Sequence, residues 1–448
     1  MQEYISPNEV SLFGKNDSET IQNAIAAAVK DGCRKIIIPR YNARTDRAEW
    51  RIPECIMLPS DFTVILDNCY MVQETGFFDN MFRNEHCLDN TVTDENITVT
   101  GEGNAVLDGG KHNGLYEKTA GKCGLPSIYF NAMFHWYGVK GLKIENLNIR
   151  NQRWCSMVHL FCSDADIKNI NFNAIPIAPD GRGMDFRMGC ENIRLENITG
   201  RTGDDFVSFV AVAAEEQTRK QESACGDIGF AKLKNLLSDP STHFCVRITN
   251  HDGYKIHDID IDTVLEVSEL HKKIRVASTV GIGSPIFVYK SHCKKGDDYN
   301  ITVKNITARG KEAVTLNNTL KDSVISNIHT FDTNVNAVGV GYNANLNETN
   351  LENVTIENVF FGAKQQEVCC SRQLDPTEYT GSVFDFRFVS GFVTLRDVFI
   401  DKVGKAITAY GGVKVTTENF NTNVVGILFD LQDNESSVVY NGEVKQNG

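Results

Sequence analysis

Residues 178–206 concentrate the chemistry of this chain. Asp180 and Asp185 stand about one structural repeat before the adjacent pair Asp204-Asp205, and between them runs Ile193-Arg194-Leu195-Glu196-Asn197-Ile198, an asparagine-punctuated strand signal. If each such signal is one rung of a solenoid, the acids stack on neighbouring rungs. Parallel strands lie roughly 4.8 Å apart, so these carboxylates would be several Å from each other. Acid–base cleavage of an acetal linkage needs roughly 5–9.5 Å between its two carboxyl groups. Adjacent carboxylates also repel and titrate as a coupled pair, which suits an acid that must keep its proton near neutrality. Consecutive strand residues normally face opposite sides; Asp204 and Asp205 therefore share a cleft only if the strand begins or bends there, and Gly203 makes a bend plausible. The alternative is a solvated Gly-Asp-Asp turn. Asp185 has a structural alternative too, bracing its rung or pairing with Arg182 or Arg187.

Several other side chains are candidates for binding. Arg182 can orient a hydroxyl or carboxylate through its planar fork. His243 could tune a neighbouring acid, although a lone histidine in a strand is more often structural. Arg247 in CVRIT and Arg275 in HKKIRVAS stand between apolar neighbours, so they should point outward across a sheet, towards a ligand or a surface ion pair. Trp154 and Trp136 are candidate stacking platforms for a sugar, with covering a hydrophobic edge as the plainer role. No metal site or cofactor motif emerges.

Positioning these groups requires a repeat, and one is present. The pattern apolar–any–Asn/Asp–apolar occurs at Ile144–Leu147, Ile167–Ile170, Leu195–Ile198, Ile256–Ile259, Val303–Ile306, Ile325–Ile328, Ile356–Val359 and Leu395–Val398. Its shortest intervals, 22 to 31 residues, signal a solenoid. Alternating apolar residues face a strand's interior side, while Asn or Asp can take a turn conformation or stack rung upon rung. Only ten prolines interrupt the 448 residues, as hydrogen-bonded parallel coils require. The expected class is all-β: a single-stranded right-handed parallel β-helix over residues 1–448 with an N-terminal capping helix. That cap falls at 10–40, as a helix over Ser18–Asp31 capped by Asp17 or Ser18, with Gly32 past its end, and then the strand Lys35–Pro39. Residues 211–241 read as an inserted helical lid or rim, or as a solvated loop, and residues 362–385 as a second insertion.

The bulk numbers agree with a folded, acidic, repeat-built protein. Hydrophobic residues make up 41% and aromatics 9%, enough for an interior. A net charge of −13 argues against nucleic acid or an anionic membrane as partner. No run of about 18 apolar residues suggests a membrane span, and the first residues lack a secretory pattern. The thirteen scattered cysteines, Cys369 and Cys370 adjacent among them, read as buried thiols of a cytoplasmic protein. A long flat solenoid face could also pair into a dimer or trimer.

The segment 127–174 resembles the polygalacturonase-like enzymes, glycoside hydrolase family 28, within the pectate-lyase-like right-handed parallel β-helix superfamily: there too each strand is followed by an asparagine turn, and a short Trp motif precedes the acidic rungs. Residues 16–39 are similar to the cap helix and first strand of such enzymes, and residues 97–110 to the rung that follows. The resemblance covers about residues 10–310. Its Gly-Asp-Asp rung matches Gly203-Asp204-Asp205, implying that Asp204 protonates the leaving oxygen and Asp205 helps activate water. The preceding family rung, Asn-x-Asp-Gly-x-Asp, matches less well. Aligned on Gly183-Met184-Asp185, its first acid becomes Arg182; aligned on Asp180-Gly181, that acid survives but two residues are inserted. The Gly-His-Gly rung is echoed weakly at His243, and the Arg-Ile-Lys rung at Arg275, with Ala277 in the lysine position. The resemblance thus implies hydrolysis of an oligo- or polysaccharide, by single displacement with inversion, without fixing the sugar. A lyase or intramolecular glycosyl or fructosyl transferase on the same scaffold, or a non-catalytic glycan-binding β-helix, are the alternatives.

Overall fold

Short β-branched runs with period-2 apolar residues cannot bury both faces alone, so they must stack. The computed structural model describes residues 2–447 except 90, 117–118, 121–126, 175–180, 212–225, 239–242, 251–252, 267–277, 284–292, 309–311, 318, 331–335, 341–348, 363–381, 402–404 and 424–425. The chain packs as two compact units, Met1–Asp205 with 213–225, and Phe206–Val212 with Gly226–Gly448.

In the first unit, long strands Asp94–Glu102, Val139–Arg150, Ser163–Asn173 and Glu191–Arg201 pair in parallel register. Short strands Phe82–Asn84, Phe134–Tyr137, Met157–Leu160 and Met184–Arg187 form a second parallel sheet. The second unit repeats the scheme: long strands from Ile228–Ser238 to Val413–Thr422 stack in one sheet, and short strands from Phe244–Asn250 to Ile427–Leu431 in another. Its last two strands, Ser437–Tyr440 and Glu443–Gln446, pair antiparallel.

Left-handed residues bend the long strands. All eight Asn or Asp residues of the sequence motif have φ between 52° and 61°, a region that Asn and Asp enter at low cost. The bends come in pairs five residues apart, as at Asp164/Asn169, Asn192/Asn197 and Asn300/Asn305. Their side chains form ladders across rungs: Asn169 donates to Asn146 at 2.8 Å, Asn197 to Asn169 at 3.0 Å and Asn192 to Asp164 at 3.1 Å. Asp258 belongs to the first bend of its strand, aligned with Asn300, whereas the second bend there is Thr263 at φ 68°. The motif therefore mixes two ladders that the sequence reading treated as one.

The cap helix spans Asp17–Asp31, and Gly32 closes it at φ 82°. Its N-cap is Asn16, whose Oδ1 accepts from Glu19 N at 2.8 Å, rather than Asp17 or Ser18. Asp17 is buried instead, held by Arg44 Nη2 at 2.5 Å. A helical lid over 211–241 is not what the described part shows. Ile228–Ser238 is a strand in register with Ile256–Glu266, and Leu233-Lys234-Asn235-Leu236 is a further copy of the turn motif, Asn235 having φ 57°. The strand wins because Ile228, Ala231, Leu233 and Leu236 each fill the interior, the alternation shifted at the left-handed bends Phe230 and Asn235. Residues 212–225 lie outside the described residues. Of 362–385, the portion from Ser382 is likewise strand, and 363–381 lies outside.

Candidate functional site

Three neighbouring backbone levels build the site in the first unit. Ser156 N donates to Arg182 O at 2.9 Å, Met157 N to Gly183 O at 3.0 Å, and Gly183 N to Asp205 O at 3.0 Å. Residues 156–157, 182–183 and 205 are therefore successive rungs. Gly203 N also donates to Gly181 O at 2.9 Å, so the Gly-Asp-Asp segment lies as a non-strand bend beside the Arg182 rung. Thr202 Oγ1 fastens that bend on Asp204 O at 2.7 Å.

On this frame, three carboxylates gather around one guanidinium. Arg182 Nη1 meets Asp185 Oδ2 at 3.1 Å, and its Nε meets Asp204 Oδ2 at 3.2 Å and Asp205 Oδ2 at 3.8 Å. Asp185 is also held by Arg187 Nε at 2.6 Å, and Arg187 Nη1 donates to Tyr129 Oη at 3.3 Å. Sharing one guanidinium keeps the nearest oxygens of Asp185 and Asp204 no more than about 9 Å apart, and Asp204 and Asp205 bring carboxylate oxygens within 4.8 Å of each other. Exposure separates the three acids. The Asp204 side chain is 16% exposed and Arg182 11%, while Asp185 and Asp205 are 0% and 1%. Burial works against the charge of Arg187, but the carboxylate of Asp185 outweighs it and raises the guanidinium above its ordinary value.

The structure brings together Arg182, Asp185, Asp204 and Asp205. Asp180 and Arg275 lie outside the described residues. His243 and Arg247 belong to the second unit, where His243 stands edge-on to Phe244 with ring centroids 4.7 Å apart. Arg247 lies on the outward side of its strand, as its apolar neighbours require, but it is buried, its guanidinium 5.5 Å from the Phe244 ring centroid.

Neither tryptophan is an open platform. Trp136 fills the interior, stacked on Phe134 at 5.8 Å, and Trp154 is buried edge-to-face with Tyr129 at 5.5 Å. Large rings next to strands bury more readily than they stay exposed. What sequence reasoning missed is Tyr129, on a short 3-10 turn, Ile128–Asn131; only a contact across rungs reveals it.

No protein-family model and no curated relative matches the sequence. Solved structures do match its fold. The family 28 exopolygalacturonase of Yersinia enterocolitica is 14% identical, with 99% of this chain and 79% of that one covered at a TM-score of 0.50. The tailspike protein of E. coli bacteriophage HK620, solved in complex with a pentasaccharide, is 12% identical, with 97% and 80% covered at 0.59. PfbA, a surface adhesin of Streptococcus pneumoniae, is 13% identical, with 99% of both chains covered at 0.54. The chain has the pectate-lyase-like, right-handed parallel β-helix fold, all-β apart from its short helices. Identities this low establish the fold alone.

Proposed function

We propose that the protein hydrolyses a glycosidic bond in an oligo- or polysaccharide by single displacement. The observation that supports this reading is the sharing of Arg182 by Asp185, Asp204 and Asp205 on successive rungs. Asp204, the acid best reached by solvent, protonates the leaving oxygen. Asp205 accepts the proton of the attacking water. Asp185, locked by Arg187, fixes Arg182, and Arg182 orients a substrate hydroxyl or carboxylate through the edge it now shares with the acids. Water and acid on opposite faces of the sugar give an inverted anomer.

The test is a panel of uronate, galactoside, rhamnoside and fructan oligomers followed by NMR. The reading expects new reducing ends of inverted configuration with the wild type and essentially none with Asp204→Asn. An unsaturated product absorbing in the ultraviolet would assign a lyase instead. Binding of an oligomer without turnover in either protein would assign a glycan-binding module.

A further inference from the structure

We infer that the site is closed on the side of the earlier rungs, so that the protein acts at the end of a glycan chain and not within it. This rests on the hydrolase reading above and adds the form of its substrate. A glycan touching acids on successive rungs must cross the strands, passing from rung to rung. In one direction it meets the rung of residues 154–157, joined directly to Arg182 and Gly183 by backbone hydrogen bonds.

Among the described residues, that rung carries no open groove. The outward row of the short strands runs His135, Val158, Asp185, in register across three strands. Val158 is fully buried beneath an apolar cluster that includes Tyr129, Trp154, Cys155 and Ala120, with Leu115 packed against it. Tyr129 also covers His135, the two rings stacked with centroids 5.6 Å apart. The cluster therefore occupies the face a sugar would need immediately beyond Asp185. It abuts the acids: burial, then the charge of Asp185, push the Cys155 thiol well up.

The wall is also anchored. Arg153, next to Trp154, is buried and donates to the carbonyls of Phe77 at 2.6 Å and Glu74 at 2.7 Å. His112 Nε2 lies 3.1 Å from Arg153 O. One rung spacing, roughly 4.8 Å, separates the wall from the Arg182 rung, and about two separate it from Asp204 and Asp205, distances comparable with one or two sugar residues. The room on the walled side thus holds one sugar, two at most.

The test uses whichever polymer of the panel the wild type cleaves, sampled from the first minutes. The expected result is one small product, a mono- or disaccharide, with no ladder of intermediate sizes. Capping one terminus of an oligomer, by reduction to the alditol at one end or by a blocked hydroxyl at the other, should abolish release. Capping the opposite terminus should leave it intact. Trp154→Ala should lengthen the released product by a sugar, whereas Tyr129→Phe, which keeps the ring, should leave product length unchanged. Should Trp154→Ala fail to fold, the wild-type product pattern decides alone. A ladder of internal fragments, or release from oligomers capped at both ends, overturns the inference while leaving hydrolysis established. No cleavage of any panel member, by contrast, removes the hydrolase reading itself.

Discussion

Asp185 and Asp204 touch the same guanidinium yet should fail differently when neutralised. Asp204 is the partly exposed member, so Asp204→Asn should lower the rate at least about 100-fold, the scale for losing a general acid, with little change in the melting midpoint. Asp185 is fully buried between Arg182 and Arg187. Asp185→Asn leaves Arg187 without its buried counter-charge, which costs roughly 3–5 kcal/mol. Chemical denaturation of the two variants checks the contrast: a large loss of stability in the first would place Asp204 among the structural acids. At this scale the sequence was half legible. The spacing of Asp185 and Asp204-Asp205 placed both on adjoining rungs because rung length fixes register. Arg182 as the hub was not legible, since a guanidinium reaches along several directions and only coordinates select one. For Trp154 the sequence left two roles open, and the plainer one, covering a hydrophobic edge, holds; the choice depends on Tyr129, twenty-five residues earlier in the chain.

The element scale is where the sequence spoke most clearly, and the reason is the bend. A left-handed residue inside a strand is unfavourable for most side chains, so the Asn and Asp positions are dictated and recur. Leu233–Leu236 escaped notice because its neighbours Ala231, Lys232 and Lys234 also suit a helix; burial against the adjoining rung decided the outcome. The ladders give two opposed predictions. Asn169 both donates to Asn146 and accepts from Asn197 while holding φ 54°. Asn169→Ala should therefore cost about 2–3 kcal/mol, one part backbone strain and the other lost hydrogen bonds. Thr263 holds φ 68° with a β-branched side chain at the position where neighbouring rungs use Asn235 and Asn305. Thr263→Asn should stabilise the second unit by about 1 kcal/mol. Urea unfolding of each variant reads both, and a destabilising Thr263→Asn would mean that the Thr263 hydroxyl bond to Asp262, at 3.0 Å, matters more than the strain.

For the molecule as a whole, pH should act through two buried groups of opposite sign. His159 sits in the interior of the first unit, stacked on Phe186 with centroids 4.3 Å apart, and burial depresses it to about 4. Between its unfolded value of about 6.5 and 4, the unfolded chain binds the proton and the folded one does not. Its contribution is therefore complete above pH 6.5 and lost as pH falls towards 4. Asp298, wholly buried in the second unit, is raised to about 7 by burial and, to a lesser degree, by neighbouring Asp297; among the described residues Asn250 Nδ2 donates to its Oδ1 at 2.9 Å and none bonds its Oδ2. Here the folded state holds the proton that the unfolded chain has released. The contribution of Asp298 is complete below about pH 4 and lost as pH rises through 7. The two slopes oppose each other between about 4 and 6.5, so wild-type stability should be nearly level there and fall from about 6.5 to 7. Asp298→Asn removes one slope, leaving stability that rises with pH up to about 6.5; His159→Phe removes the other, leaving stability that falls from about 4 to 7. Melting midpoints taken from pH 4 to 8 for the three proteins decide it, and parallel profiles would mean that neither group changes its protonation on folding.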